Sequence, residues 1–266
     1  MRASVFAGIS LAGTSLAAML VAAPALAADI APQPYYKAPP LVPIVYNWTG
    51  FYVGVNAGYG FGGSGSVLTA GQTPANAGEI GAGIRPGAAS LDDSGFVGGG
   101  QVGYNWQFGS IVAGIEADAD YTGFRDRQTF VGAGLNNTFR QDLDYLGTVR
   151  GRLGYAFDRT LVYATGGFAY GGVNNRVDFF GPAGQTQYSG RDNSTKTGYA
   201  VGGGIEQAFG NGWSAKLEYL YYNLGNDTVN VALVPGGGGV GTGYNSRFEN
   251  DGHIIRAGLN YRFNAF

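Results

Sequence analysis

Residues 50–62, GFYVGVNAGYGFG, place Phe51, Val53, Val55, Ala57, Tyr59 and Phe61 on one face. Tyr52, Gly54, Asn56, Gly58 and Gly60 fall on the other. Alternation at period two marks a strand with one apolar face. The pattern recurs seven times, with polar residues or Gly on the second face each time. Stretch 96–108 sets Phe96, Val102, Tyr104, Trp106 and Phe108 against Gln101, Gly103, Asn105 and Gln107. Stretch 111–121 sets Ile111, Ile115 and Tyr121 against Glu116, Asp118 and Asp120. In 143–157, Leu143, Tyr145, Val149, Leu153, Tyr155 and Phe157 oppose Thr148, Arg150 and Arg152. In 160–171 the apolar face is assigned to Val162, Ala164, Phe168 and Tyr170. The last three are 197–209 (Tyr199, Val201, Ile205 and Phe209 against Gly202, Gly204 and Glu206), 213–223 (Trp213, Leu217, Tyr219 and Tyr221 against Ser214, Lys216 and Glu218) and 254–263 (Ile255, Leu259, Tyr261 and Phe263 against Arg256, Asn260 and Arg262).

Aromatic residues collect at the ends of these apolar faces: Tyr59, Tyr104, Trp106, Phe108, Tyr121, Tyr155, Phe157, Trp213, Tyr221, Tyr261 and Phe263, with Trp48 just before the first strand. Strands that cross a lipid bilayer carry such girdles at both interfaces. A strand of ~10 residues, rising ~3.3 Å per residue and tilted ~45°, spans about 23 Å, close to the ~25 Å apolar band of an outer membrane. Connections alternate. Gly109-Ser110, Asp158-Arg159 and Gly210-Asn211-Gly212 are tight, whereas roughly 62–94, 123–142, 173–195 and 225–252 are long. Short turns on one rim and long excursions on the other belong to an all-β, eight-stranded, antiparallel up-and-down transmembrane barrel, with the turns on the periplasmic side.

Composition removes the competing classes. The chain of 266 residues holds 49 Gly but no collagen-type repeat, and its 18 Tyr and 16 Phe supply the burial that a disordered chain lacks. With no Cys and one His, it has neither disulfides nor the usual metal and nucleophile chemistry, so no metal, cofactor or enzyme activity is expected. A net charge of −2 gives no reason to expect nucleic acid. Gly60-Phe61-Gly62-Gly63-Ser64-Gly65 fits a dinucleotide fingerprint by spacing, but no helical pattern follows it. His253 beside Asp251 lacks a nameable nucleophile and reads as a solvated loop-end residue.

Residues 1–27 read as a secretory signal, with Arg2, an apolar run over 5–23 and Ala25-Leu26-Ala27, which places cleavage between Ala27 and Ala28. Residues 28–46 hold five of the ten Pro and read as a periplasmic spacer ahead of the barrel at 47–266.

NWTGFYVGVNAGYGFG (47–62), TGGFAYG (165–171), GIEQAFGNGWSAKLEYLYYNLG (204–225) and RAGLNYRF (256–263), in that order, resemble the small outer-membrane β-barrel proteins of rhizobia and Brucella, relatives of the OmpA transmembrane domain. The resemblance implies abundant surface proteins that stabilise the outer membrane and meet the host, some of them called porins. It also implies lipopolysaccharide as a neighbour and assembly machinery that reads the C-terminal strand. The aromatic phase there fits Phe263, and Asn264-Ala265-Phe266 extends beyond it. The Pro-rich stretch reads first as a plain linker, with contact to peptidoglycan as the alternative.

Hairpin register then fills the barrel. A Gly109-Ser110 turn sets Gln101 opposite Asp118 and Gly103 opposite Glu116. A three-residue Gly210-Asn211-Gly212 turn pairs Phe209 with Trp213 and Glu206 with Lys216. The inward set is Glu116, Asp118, Asp120, Glu206 and Glu218 against Arg150, Arg152, Lys216, Arg256 and Arg262. Two readings follow. Eight strands leave room for little more than side chains, which favours a plug of ion pairs. Inward Gly at positions such as 54, 58, 103 and 204 would leave space for water and a narrow small-solute porin. Leu217 and Val149 are expected to face lipid near mid-depth, whereas Thr148 and Gly204 should tolerate polar replacement better.

Overall fold

The computed structural model describes residues 46–63, 65–91 and 94–263. The signal, its Ala27/Ala28 cleavage site, most of the spacer and the 264–266 tail lie outside those residues. Ten strands and one helix run in the order β1 (Gly50–Gly62), β2 (Ser66–Gly71), α1 (Pro74–Gly81), β3 (Ala88–Ser90), β4 (Ser94–Phe108), β5 (Ile111–Gly132), β6 (Leu135–Phe157), β7 (Thr160–Phe180), β8 (Thr186–Gly210), β9 (Trp213–Leu233) and β10 (Gly243–Arg262). Strand β1 pairs with both β4 and β10, so eight strands close a ring and no edge remains at membrane depth.

The period-two reading holds around this ring. Val55, Ile115, Leu153 and Leu217 are each 55–62% exposed on the outer face, where lipid replaces water as their solvent. The 160–171 assignment holds as well: Val162 and Phe168 point out, while Leu161 and Tyr163 are buried. Of the girdle residues, Tyr59, Trp106, Phe108, Tyr121, Tyr155, Phe157, Trp213, Tyr261 and Phe263 are well exposed on the outer face, with Tyr104 and Tyr221 half-buried beside them. Trp48 is the exception. It is buried, and its indole N–H donates to the Asp158 carbonyl at 3.1 Å, which folds residues 46–49 across the turn-side rim.

Three differences from the sequence reading have identifiable causes. Leu143 points inward, not outward, because a bulge between Leu143 and Tyr145 shifts the phase of β6. The β8–β9 turn has two residues, Asn211 and Gly212, both at positive φ, and Phe209 is bulged so that Gly210 pairs with Trp213. Glu206 therefore still pairs with Lys216.

The third difference is the largest. Three of the four long connections are not loops. Strands β5 and β6 continue as a ladder to a two-residue Ala133-Gly134 turn, and β7–β8 and β9–β10 extend in the same way. The fourth, after β1, folds into β2, α1 and β3, with β2 pairing onto β10 where β1 has ended. His253 accordingly lies within β10, stacked on Phe61, with its Nδ1 hydrogen-bonded to the Tyr219 hydroxyl at 2.7 Å.

Candidate functional site

The barrel interior carries the chemistry, and it is built in layers. Nearest the turns, Trp48, Val112, Ala156, Leu161, Tyr163 and Ala208 form an apolar floor. Above it lies the charged belt. Arg150 reaches Glu116 at 2.8 Å, Asp118 at 2.7 Å and Glu218 at 3.3 Å. Arg256 reaches Asp120 at 2.5 Å, Glu218 at 2.7 Å and Asp118 at 3.1 Å. Arg152 holds Glu206 at 2.8 Å and lies over the Tyr163 ring at 4.0 Å. Lys216 binds Glu116 at 2.8 Å.

Two of these pairs, Glu116–Arg150 and Glu218–Arg256, join residues directly opposite in the ladder, but the pairing expected at Glu206 does not form. Although Glu206 and Lys216 sit directly opposite in the ladder, each pairs across the lumen with a residue from a more distant strand. Arg262 does not join the belt. It stacks on Tyr46 at the rim, and among the described residues it forms no ion pair, leaving five carboxylates against four cations. Neutral donors take up the surplus: Tyr52 donates to Glu116, Thr148 to Asp118, Asn56 to Asp120, Ser214 and Asn260 to Glu206, and Tyr163 to Glu218. Charges removed from water need such partners, and only single atoms of the belt's charged groups, Asp118 Oδ1 and Arg152 Nε, go without one.

The inward glycines make room for these side chains, not for water. A Cβ on Gly54 would stand 2.1 Å from Asn260 Oδ1 and 2.9 Å from Gln101 Nε2. For the same reason Thr148 and Gly204 are not permissive sites. Thr148 is buried between Asp118 and Arg150, and a Cβ on Gly204 would press on the Leu217 carbonyl and the Tyr163 hydroxyl.

Two further layers were not visible in the period-two pattern. Val97, Phe124, Leu146, Val173, Leu220, Tyr222 and Ile254 pack into an apolar plug directly above the belt. Higher still, Phe139, Val177, Phe179, Tyr188, Val231, Tyr244 and Phe248 form a second apolar core with Val67, Ala89 and Leu91 of the segment after β1. That segment is a folded cap. Thr73 caps the N-terminus of α1, with Pro74 in its first turn. The fully buried Asn76 accepts from the amides of Thr242 and Gly243 and donates to the Val240 carbonyl. Arg85, also fully buried, donates to Asn137 Oδ1 at 2.9 Å, to the Phe180 carbonyl at 3.0 Å and to Gln187, and lies against the Phe179 and Tyr188 rings.

Removing that cation takes the donor from two buried side-chain acceptors and the Phe180 carbonyl, and breaks its ion pair with Glu79 at 3.4 Å. Charge-assisted hydrogen bonds are worth ~1.5–3 kcal/mol. Arg85→Met is therefore expected to raise the open population of the cap about ten- to hundredfold, read as faster thermolysin cleavage between 66 and 91 in an otherwise intact barrel. An unchanged cleavage rate would show that the cap is held elsewhere.

A closed ring with a lipid-facing apolar girdle and a packed interior defines an integral outer-membrane barrel. The comparisons agree, and the chain belongs to the family described as the outer membrane protein beta-barrel domain, which it matches over residues 13–263. It is 36% identical over 256 residues to the 31 kDa outer-membrane immunogenic protein of Brucella melitensis, covering 94% of this chain and 97% of that one. It is 37% identical over 125 residues to the 22 kDa outer membrane protein of Rhizobium leguminosarum, covering 46% of this chain and 51% of that one. The solved outer membrane protein OprG of Pseudomonas aeruginosa shares the fold with a TM-score of 0.52 at 13% identity, covering 83% of this chain and 99% of that one. The protein is an outer-membrane β-barrel, located in the cell outer membrane and surrounded by its lipids.

Proposed function

We propose that this barrel is a non-conducting structural and surface protein, an anchor for the strands it raises above the membrane, and not an enzyme. One observation carries the reading. The charged belt is sandwiched between an apolar floor and two apolar layers, with a folded cap above them. Hydrated ions would have to cross these apolar layers, at a cost of several kcal/mol for each desolvated charge. Burial of the ten sequence-nominated charges, Arg262 excepted, supports a framework role that holds opposite walls of the cylinder together.

The same reading takes lipopolysaccharide as the outer-leaflet neighbour and assembly machinery as the reader of the last strand. Host or peptidoglycan contact through the exposed and Pro-rich ends completes it. The test is planar-bilayer recording of the refolded, processed protein at neutral pH. No resolved channel openings are expected. A steady conductance whose ion selectivity shifts in Glu116→Gln would establish the small-solute porin instead.

A further inference from the structure

The outer wall above the girdle is not uniformly polar. Arg127 pairs with Arg140, Arg140 with Arg176, and Arg176 with Arg191, so four guanidinium groups stand side by side across β5, β6, β7 and β8. Residues directly opposite in an antiparallel ladder have Cβ atoms ~4.5–5.5 Å apart, and like charges placed there are destabilising. All four residues are exposed on the outer face. Carboxylates answer only part of the row. Asp178 lies 2.7 Å from Arg176 and Asp142 4.0 Å from Arg140, whereas Arg127 and Arg191 form no ion pair among the described residues. One step below, Arg125 sits opposite Asp142. Surface depressions of about 250 and 270 Å³ flank the row, and both are lined by Arg127 and Arg140. Across β9 and β10 the corresponding wall carries Asn226, Thr228 and Asn230 facing Glu249, Arg247 and Asn245. The arginine row therefore occupies one side of the cylinder.

We infer that this row is a docking surface for the phosphate and carboxylate groups of an anionic glycolipid in the surrounding outer leaflet. Height selects that source over a soluble polyanion. The row lies four ladder steps above Tyr145, which at ~3.3 Å per residue and a tilt of ~45° is roughly 9 Å beyond the girdle. It also faces sideways on the wall, not upward from the turn tips. A head group anchored in the same leaflet meets that wall. The guanidinium fork fits phosphate and carboxylate bidentately, and a row of forks matches a head group with several anions. The ligand would also relieve the repulsion that the bare ladder stores. This inference rests on the outer-membrane placement alone and is independent of whether the lumen conducts.

The test uses the processed protein in zwitterionic phospholipid nanodiscs, titrated with a rough-type lipopolysaccharide, with the same lipid after dephosphorylation, and with a heparin hexasaccharide. Exposed pairs contribute modestly, about threefold in affinity each, so R127Q/R140Q/R176Q/R191Q should lose ~100-fold while Arg247→Gln is unchanged. Dephosphorylated lipid should bind the wild type about tenfold more weakly. Without glycolipid, the quadruple variant should unfold at the same or a higher urea concentration than the wild type, because repulsion is removed, and glycolipid should stabilise only the wild type. R127Q/R191Q, which removes only the two arginines without carboxylate partners, should give an intermediate loss even where the quadruple variant fails to refold. Undiminished glycolipid binding by R127Q/R191Q, or an R127Q/R191Q variant less stable than wild type without glycolipid, overturns the proposal. Tighter binding of the hexasaccharide than of the lipopolysaccharide overturns it in favour of a soluble partner.

Discussion

Arg150→Met is expected to lower the stability of the refolded barrel by ~3–5 kcal/mol, the usual cost of leaving buried charge uncompensated. Arg150 serves Glu116, Asp118 and Glu218 at once, and its Nε also donates to Thr148. Arg152→Met, which loses one close ion pair, to Glu206, and a hydrogen bond to the Tyr52 hydroxyl, should cost less than Arg150→Met, because Ser214 and Asn260 still donate to that carboxylate. Combining Arg152→Met with Glu206→Gln should recover much of the single loss, since removing both partners of a buried pair is often nearly neutral. Urea midpoints of the variants in detergent decide. Additive effects below 1 kcal/mol would mean that water already screens the belt, and would remove the packed-lumen reading.

Leu217→Arg is expected to cost ~2–4 kcal/mol by the reverse mechanism, a charge placed in hydrocarbon. Leu217 lies on the outer face midway between Trp213 and Tyr221, is 55% exposed and is flanked by Ile205 and Ala257. Asn226→Arg, on the outer face of the same strand but above the girdle and opposite Glu249, should be almost silent. Unfolding in phospholipid vesicles distinguishes the two positions. Equal effects would show that the apolar band has been set at the wrong height.

The parts of this fold legible in the sequence are those where the two faces of a strand meet different solvents. Between the girdles, lipid outside and packed charge inside force Leu217 and Lys216 to alternate, and the register of β4–β5 follows from turn length alone. Above the girdle that contrast disappears. Arg125, Arg127 and Thr129 face outward while Asp126 and Gln128 face the other way, so 123–142 reads as a polar loop although it is a hairpin. The inward pairs Val177/Phe179 and Val229/Val231 were the available signal for the upper core. The bulges at Leu143 and Phe209 shift phase without leaving a compositional trace. The belt's membership was readable from alternation, and adjacent-strand pairs such as Glu116–Arg150 and Glu218–Arg256 follow from register, whereas the pairs that cross the lumen do not. Glu116 and Lys216 are a hundred residues apart and meet only because the sheet closes on itself.

The extended ladders change what the outside world can recognise. From Tyr121 to Gly132, β5 rises roughly 26 Å at ~3.3 Å per residue and a ~45° tilt, about as far above the membrane as the apolar band is thick. Most of the chain visible to an antibody is therefore sheet, read across strands and not along them. Arg127, Arg140, Arg176 and Arg191 are neighbours in one such row, drawn from four strands. Synthetic peptides reproduce only the turn tips, such as Ala133-Gly134. Sera raised against the folded barrel should lose most of their reactivity when the antigen is unfolded by heat, and a peptide array would under-report the epitopes accordingly.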